Sequence, residues 1–185
     1  DDEICIGETT TLDSDGEVGS WTSSDPTIAS VTNAGVVTGV NSGQAIFTFT
    51  SNATLCKSDP TPPVTVYPAP IITLDDSNLC IGETTFANST AFGGTWSSSD
   101  DTVAEIDEFT GEITAIADGS ATFTYLDPFT NCSTTSGILV VNQSPDVSIT
   151  GAAEICENET TQLSPTTGGV WASLQPAIAT VNNNG

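Results

Sequence analysis

Trp21-Thr-Ser-Ser-Asp-Pro-Thr-Ile-Ala-Ser-Val31 is met again as Trp96-Ser-Ser-Ser-Asp-Asp-Thr-Val-Ala-Glu-Ile106 and as Trp171-Ala-Ser-Leu-Gln-Pro-Ala-Ile-Ala-Thr-Val181. A glycine stands two residues ahead of each tryptophan: Gly19, Gly94 and Gly169. Upstream, Cys5-Ile-Gly-Glu8-Thr-Thr, Cys80-Ile-Gly-Glu83-Thr-Thr and Cys156-Glu-Asn-Glu159-Thr-Thr keep the same step of about 75 residues, a period that signals a repeat array. The period divides the chain into residues 1–70, 71–145 and 146–185. The first copy lacks a counterpart of Ile71-Ile-Thr-Leu74, its expected first strand, and the third carries only an N-terminal half. We therefore read the 185 residues as an excerpt of a longer array.

Within a copy the apolar period is two. Gln44-Ala-Ile-Phe-Thr-Phe-Thr50 places Ala45, Phe47 and Phe49 on one face. Ser120-Ala-Thr-Phe-Thr-Tyr125 places Ala121, Phe123 and Tyr125 there, with Thr122 and Thr124 opposite, as in half-buried strands. Further strands are expected at 9–12, 19–23, 28–31, 36–40 and 64–67, a set dominated by Thr, Val and Ile. Turn signals separate them, among them Asn33-Ala-Gly35, Asn41-Ser-Gly43 and Asp118-Gly119. About seven short strands per copy and no helical period predict an all-β fold: tandem immunoglobulin-like antiparallel β-sandwich repeats of about 75 residues. Tyr67-Pro-Ala-Pro70 and Asn142-Gln-Ser-Pro145 read as short, semi-rigid joints. Trp21, Trp96 and Trp171, one per copy and each leading into a strand, are expected to anchor the cores.

Charge excludes several functions. There are 24 acidic residues against one base, Lys57, and no histidine, for a net charge of −23. Nucleic-acid binding needs Lys and Arg against phosphate, and an anionic membrane would repel this chain. No apolar run approaches the ~20 residues that span a bilayer, so membrane insertion is not expected. Without histidine no Ser-His-Asp or Cys-His arrangement can be built. Paired carboxylates of the glycosidase kind would have to act from turns of repeats too small for a deep cleft. The chain is read as a non-enzyme.

Five cysteines become regular once the period is applied. Cys5 and Cys56 occupy the positions of Cys80 and Cys132 in the next copy. The expectation is one bridge inside each copy, Cys5–Cys56 and Cys80–Cys132, with the partner of Cys156 lying outside the 185 residues. Free buried thiols are the alternative. A loop of some fifty residues closed this way would contribute roughly 4 kcal/mol by chain entropy. Disulfides imply an oxidising, extracellular setting. An isopeptide brace would need a lysine in each copy, and Lys57 stands alone.

No cofactor is required, but calcium is conceivable. Asp13-Ser-Asp15-Gly-Glu17 resembles a short oxygen-donor loop, and Asp75-Asp76 lies beside the joint. Neither group recurs in every copy, which favours solvated turn carboxylates. The recurring Glu8, Glu83 and Glu159 are read as binding local backbone N–H groups. Thr102, in Asp101-Thr-Val103, is a candidate for glycosylation.

The string Trp-x-Ser-x-Asp-Pro-x-Ile-Ala-x-Val, a Gly turn, Val-Val-Thr-Gly-Val and Gly-x-Ala-x-Phe-Thr resembles the group 2 bacterial immunoglobulin-like domains. Here it is carried by Trp21–Val31, Gly35–Val40 and Gly43–Thr48. The cysteine pair, the Gly-x-Trp spelling and the acidic, Thr-rich composition are similar to the long repetitive surface adhesins of Bacteroidota. That resemblance implies export through the type IX system and display at the cell surface as filaments, in adhesion or gliding. The partners it implies are neighbouring repeats, other copies in a filament, and an extracellular surface or polysaccharide reached by regions outside this chain. The alternatives are a calcium- or glycan-binding repeat, and accessory domains of a secreted enzyme.

Overall fold

The computed structural model describes residues 2–166 and 168–185, and no helix occurs among them. Residues 1–142 form one compact unit and residues 143–185 a second. The first unit holds two hydrophobic cores. One gathers Ile4, Ala29, Val37, Ala45, Phe47, Val64 and Val66. The other gathers residues from Leu79 to Val141 around Trp96, Ile113, Phe123 and Leu139.

The first sandwich consists of β1 (Glu3–Cys5), β2 (Thr9–Thr11), β3 (Gly19–Ser23), β4 (Ala29–Val31), β5 (Val36–Gly39), β6 (Gly43–Ala45), β7 (Phe47–Ser51) and β8 (Val64–Tyr67). Its ladders run β1-β8-β6, β2-β5-β4 and β3-β7. The second repeats this plan with β9 (Ile72–Leu74), β10 (Asn78–Cys80), β11 (Thr84–Ser89), β12 (Thr95–Ser98), β13 (Ala104–Ile106), β14 (Glu112–Ala115), β15 (Gly119–Ala121), β16 (Phe123–Leu126), β17 (Ser133–Thr135) and β18 (Leu139–Asn142). Its ladders run β10-β18-β15, β13-β14-β11-β9 and β12-β16-β17. Pairing is antiparallel except where β1 runs parallel to β8 and β10 parallel to β18. In the second unit β19 (Ser148–Ile149) pairs with β20 (Leu163–Ser164).

The period-two reading of 44–50 holds for burial. Ala45, Phe47 and Phe49 are buried, as are Ala121, Phe123 and Tyr125. The single strand expected there is two. β6 bonds to β8 and β7 bonds to β3, so the run changes ladders at Ile46, which is itself exposed. This run therefore crosses the sandwich from one end to the other, and its two halves knit the ladders together.

The recurring glycines have a steric cause. A Cβ on Gly19 would overlap the Thr50 carbonyl and the Phe49 ring, and one on Gly94 would overlap the Leu126 carbonyl and the Tyr125 ring. Closeness of the strands here lets Trp21 lie 5.1 Å from Phe49 and Trp96 4.8 Å from Tyr125, in tilted and edge-on contact.

The disulfide pairing expected from spacing is corrected by the fold. Cys5 is bonded to Cys132, not to Cys56, and Cys80 is a free thiol rather than the partner of Cys132. The reason lies in the crossing run. Cys5 pairs with Tyr67, beside which Gly43 begins the run, because Gly43 pairs with Val66. Cys56 sits in the loop after Ser51, where the run ends. From Gly43 to Ser51 the chain advances on the order of 25 Å at ~3.3 Å per residue. A disulfide needs Cα atoms within ~7 Å. Cys80, opposite Asn142, and Cys132, in the loop after Leu126, are separated by the equivalent run from Gly119.

Candidate functional site

Each sandwich has an entrance end and an exit end. Tyr67 closes β8 and leads directly into Pro68-Ala-Pro70, so Cys5, paired with Tyr67, marks the exit of the first sandwich. The chain enters the second sandwich at Ile71, whose carbonyl accepts the Thr90 N–H. The segment after Thr90 reaches Gly94 beside Leu126, and Leu126 opens the loop 127–132. Cys132 thus marks the entrance of the second sandwich. The Cys5–Cys132 bond, with Cα atoms 5.7 Å apart and 127 residues between its ends in sequence, spans the joint beside the Pro-Ala-Pro connection. Both half-cystines are buried, Cys5 at 5% and Cys132 at 0% exposure. The larger strand-to-strand contacts fall within a sandwich, and this bond ties the two covalently beyond the linker.

Local chemistry holds both cysteines in place. The Cys5 N–H donates to Glu8 Oε2 at 3.1 Å, and the Glu8 N–H returns to the Cys5 carbonyl at 3.0 Å. Gly7 between them has φ of 89°, the left-handed region that glycine enters without cost to a side chain. The turn recurs with Cys80 and Glu83 at 2.8 Å and with Cys156 and Glu159 at 3.1 Å. Asn158, a residue tolerant of this region, replaces the glycine there with φ of 68°. The recurring glutamate is thus a clamp on the turn that carries the cysteine. On the other side, Asp127 N–H bonds to the Cys132 carbonyl and Asn131 sits at φ of 57°. Asp127 Oδ1 accepts from Phe129 N–H and Oδ2 from the Thr130 hydroxyl. Ser51 N–H bonds to the Cys56 carbonyl in the same way, and Leu55 has φ of 60°.

A polar cleft opens alongside the bridge, lined among others by Asp2, Glu3, Glu8, Thr130 and Asn131. Among the described residues no three His, Cys, Asp or Glu side chains converge as a metal would require. Asp13 Oδ1 accepts the Asp15 N–H at 2.9 Å, and the Ser14 hydroxyl donates to the Glu17 carbonyl, so Asp13, Asp15 and Glu17 belong to a local turn. Asp75 Oδ1 accepts from Asn88 Nδ2 at 2.9 Å, while Asp76 N–H donates to Thr85 Oγ1. The structure does not bring the Asp13 loop and the Asp75-Asp76 pair into one site.

Thr102 is exposed, with its hydroxyl and N–H both donating to Asp100 Oδ1 at 2.6 and 3.0 Å. Thr27 does the same to Asp25. These bonds, the hydroxyl first, hold both aspartates below the ordinary carboxylate value of 3.8. Asp107 is lowered too, by the Thr110 N–H and hydroxyl and then the Phe109 N–H. Trp96 is buried, Trp21 is half-buried against its core, and Trp171 Nε1 donates to the Pro165 carbonyl.

The two sandwiches and their joint define tandem immunoglobulin-like modules. Residues 7–58 and 60–136 match the bacterial Ig-like domain (group 2), and the chain belongs to that family. No curated protein matches it. Among solved structures, the chain is similar to a C-terminal 282-residue fragment of intimin, in complex with the intimin-binding domain of the translocated intimin receptor. There the identity is 15% and the TM-score 0.42, over 77% of this chain and 59% of that one. Domains 4 and 5 of the S-layer protein SbsC match at 18% identity with a TM-score of 0.26, over 69% and 71%. Murine CEACAM1b matches at 8% with a TM-score of 0.29, over 77% and 96%.

Proposed function

We propose that this chain is a structural stalk segment of a long, secreted, filamentous cell-surface adhesin, of the kind used for attachment or gliding, and that its task is mechanical rather than catalytic. The observation that carries this is the covalent tie across the joint. A disulfide inside a sandwich would limit how far that sandwich unravels but leave the linker to carry tension alone. A bond from the exit of one sandwich to the entrance of the next carries tension past both. A pull applied outside Cys5 and Cys132 passes through the bond and bypasses everything between them. The family supports a repeated structural module, and the excess of carboxylates opposes collapse of neighbouring modules. The adhesive target then belongs to regions outside this chain.

Single-molecule pulling from the two termini tests the reading. With the bond intact, the 127-residue span is withheld. Reductant then releases roughly 420–460 Å of added contour, at 3.3–3.6 Å per residue. Release of that length by unfolding without reductant would overturn the proposal.

A further inference from the structure

The bonded pair leaves two free thiols in the first unit, Cys56 and Cys80, and each occupies the position of a bonded cysteine. Cys80 repeats the setting of Cys5. It pairs with the last residue of its final strand, Asn142, as Cys5 does with Tyr67. Ile81 N–H bonds to the Asn142 carbonyl as Ile6 N–H bonds to that of Tyr67, and Glu83 clamps the turn as Glu8 does. Cys56 repeats the setting of Cys132. Its sulfur faces the Thr54 carbonyl at 3.7 Å, where Cys132 sulfur faces that of Thr130 at the same distance. Its N–H donates to the Thr54 hydroxyl at 3.3 Å, matching Cys132 and Thr130. Unlike the bonded pair, Cys56 is exposed and Cys80 partly so.

We infer that the disulfides of this array are staggered by one repeat throughout, so that Cys80 couples to the loop cysteine of a following sandwich and Cys56 to the turn cysteine of a preceding one. The inference rests on the stalk reading and extends it from one joint to every joint. Its mechanical consequence is large. A continuous ladder gives a covalent path that jumps 127 residues at a bridge, walks the two dozen residues from Cys132 to Cys156, and jumps again. Most of the chain is then shielded from extension. Each bridge forms by thiol–disulfide exchange. One thiolate attacks an oxidised dithiol or glutathione disulfide, and the second displaces it. Two thiols thus lose two protons and two electrons, and the oxidant leaves as two thiols.

The test inserts a second copy of residues 71–145 between Pro145 and Asp146 of the full chain, with Ser77→Thr and Ser133→Thr marking the masses of the copy's two cysteine peptides. After refolding in a glutathione redox buffer, bridges are mapped without reduction. The expected result is Cys5 bonded to the original Cys132, the original Cys80 bonded to the copy's loop cysteine, and loss of alkylation at the original Cys80, all in a monomer. A second variant with residues 1–70 repeated ahead of Asp1, the copy marked by Ile6→Val and Val40→Ile in its two cysteine peptides, is expected to bond the copy's first cysteine to the original Cys56. If the Cys5–Cys132 bond forms while Cys80 and Cys56 stay open to alkylation, or bond within a sandwich or between molecules, the ladder is overturned and the single stapled joint stands. If the Cys5–Cys132 bond itself is missing, the stalk reading fails first.

Discussion

At Gly94, Tyr125 and Asp100 single residues do separable jobs. Gly94→Ala forces a methyl into the Leu126 carbonyl and the Tyr125 ring. Backbone cannot step aside as a side-chain end would, so the variant is expected to lose about 1–3 kcal/mol or somewhat more of stability, read from its urea midpoint. The Tyr125 hydroxyl accepts from Gly94 N–H at 2.8 Å and donates to the Ala91 carbonyl at 3.0 Å. Tyr125→Phe leaves both backbone groups short of a partner and should cost about 1–3 kcal/mol. The first sandwich already has phenylalanine there, at 49, paired with Trp21. The aspartates Asp25, Asp100 and Asp107 have folded pKa values lowered by their threonine bonds. A lowered folded pKa gives stability that is present above the ordinary value of 3.8 and is lost as pH falls through the folded value. NMR titration should find these three midpoints below 3.8, and Thr102→Val should raise that of Asp100.

At the scale of the element, the crossing run decides both the fold and the correction to it. Alternation in 44–50 and 120–125 was readable as strand because the buried face carries Ala, Phe and Tyr and the other face Thr. The switch of partner at Ile46 was not readable, since both halves keep the same alternation. β1 is illegible in the sequence for a different reason. Glu3–Cys5 is three residues long, too short to display a period, and only its parallel pairing with β8 makes it a strand. The cysteine pairing is hidden in the sequence for a related reason. In a repeating sequence, a bond inside each copy and a bond shifted by one copy use the same positions and the same number of cysteines per repeat. Spacing cannot separate them. What separates them is which end of the run each cysteine occupies, a property of the ladders. By contrast, Gly-x-Trp and the Cys-x-x-Glu turn were legible because steric and hydrogen-bond needs are local and recur unchanged. Phe47 and Phe123, fully buried at the centre of this run in either sandwich, are the places to test it. Phe123→Ala should cost about 3–5 kcal/mol, seen as a drop in the unfolding midpoint of the second sandwich.

For the molecule as a whole, the joint matters more than either sandwich. Two small cores, each centred on one buried phenylalanine, gain from a bond that restricts the unfolded chain of both at once. A 127-residue loop corresponds to about 5 kcal/mol in the chain-entropy model, more than a bridge closed within one repeat would give. Reduction should therefore lower thermal stability and let the two sandwiches melt separately, visible as two calorimetric transitions in place of one. The central claim is that the bridge spans the joint. Digestion of the oxidised 185-residue chain at its acidic residues, with free thiols alkylated first, tests this most directly by mass spectrometry. The account predicts a peptide pair joining Cys5 to Cys132, with Cys56 and Cys80 alkylated. Pairs joining Cys5 to Cys56 and Cys80 to Cys132 would contradict it.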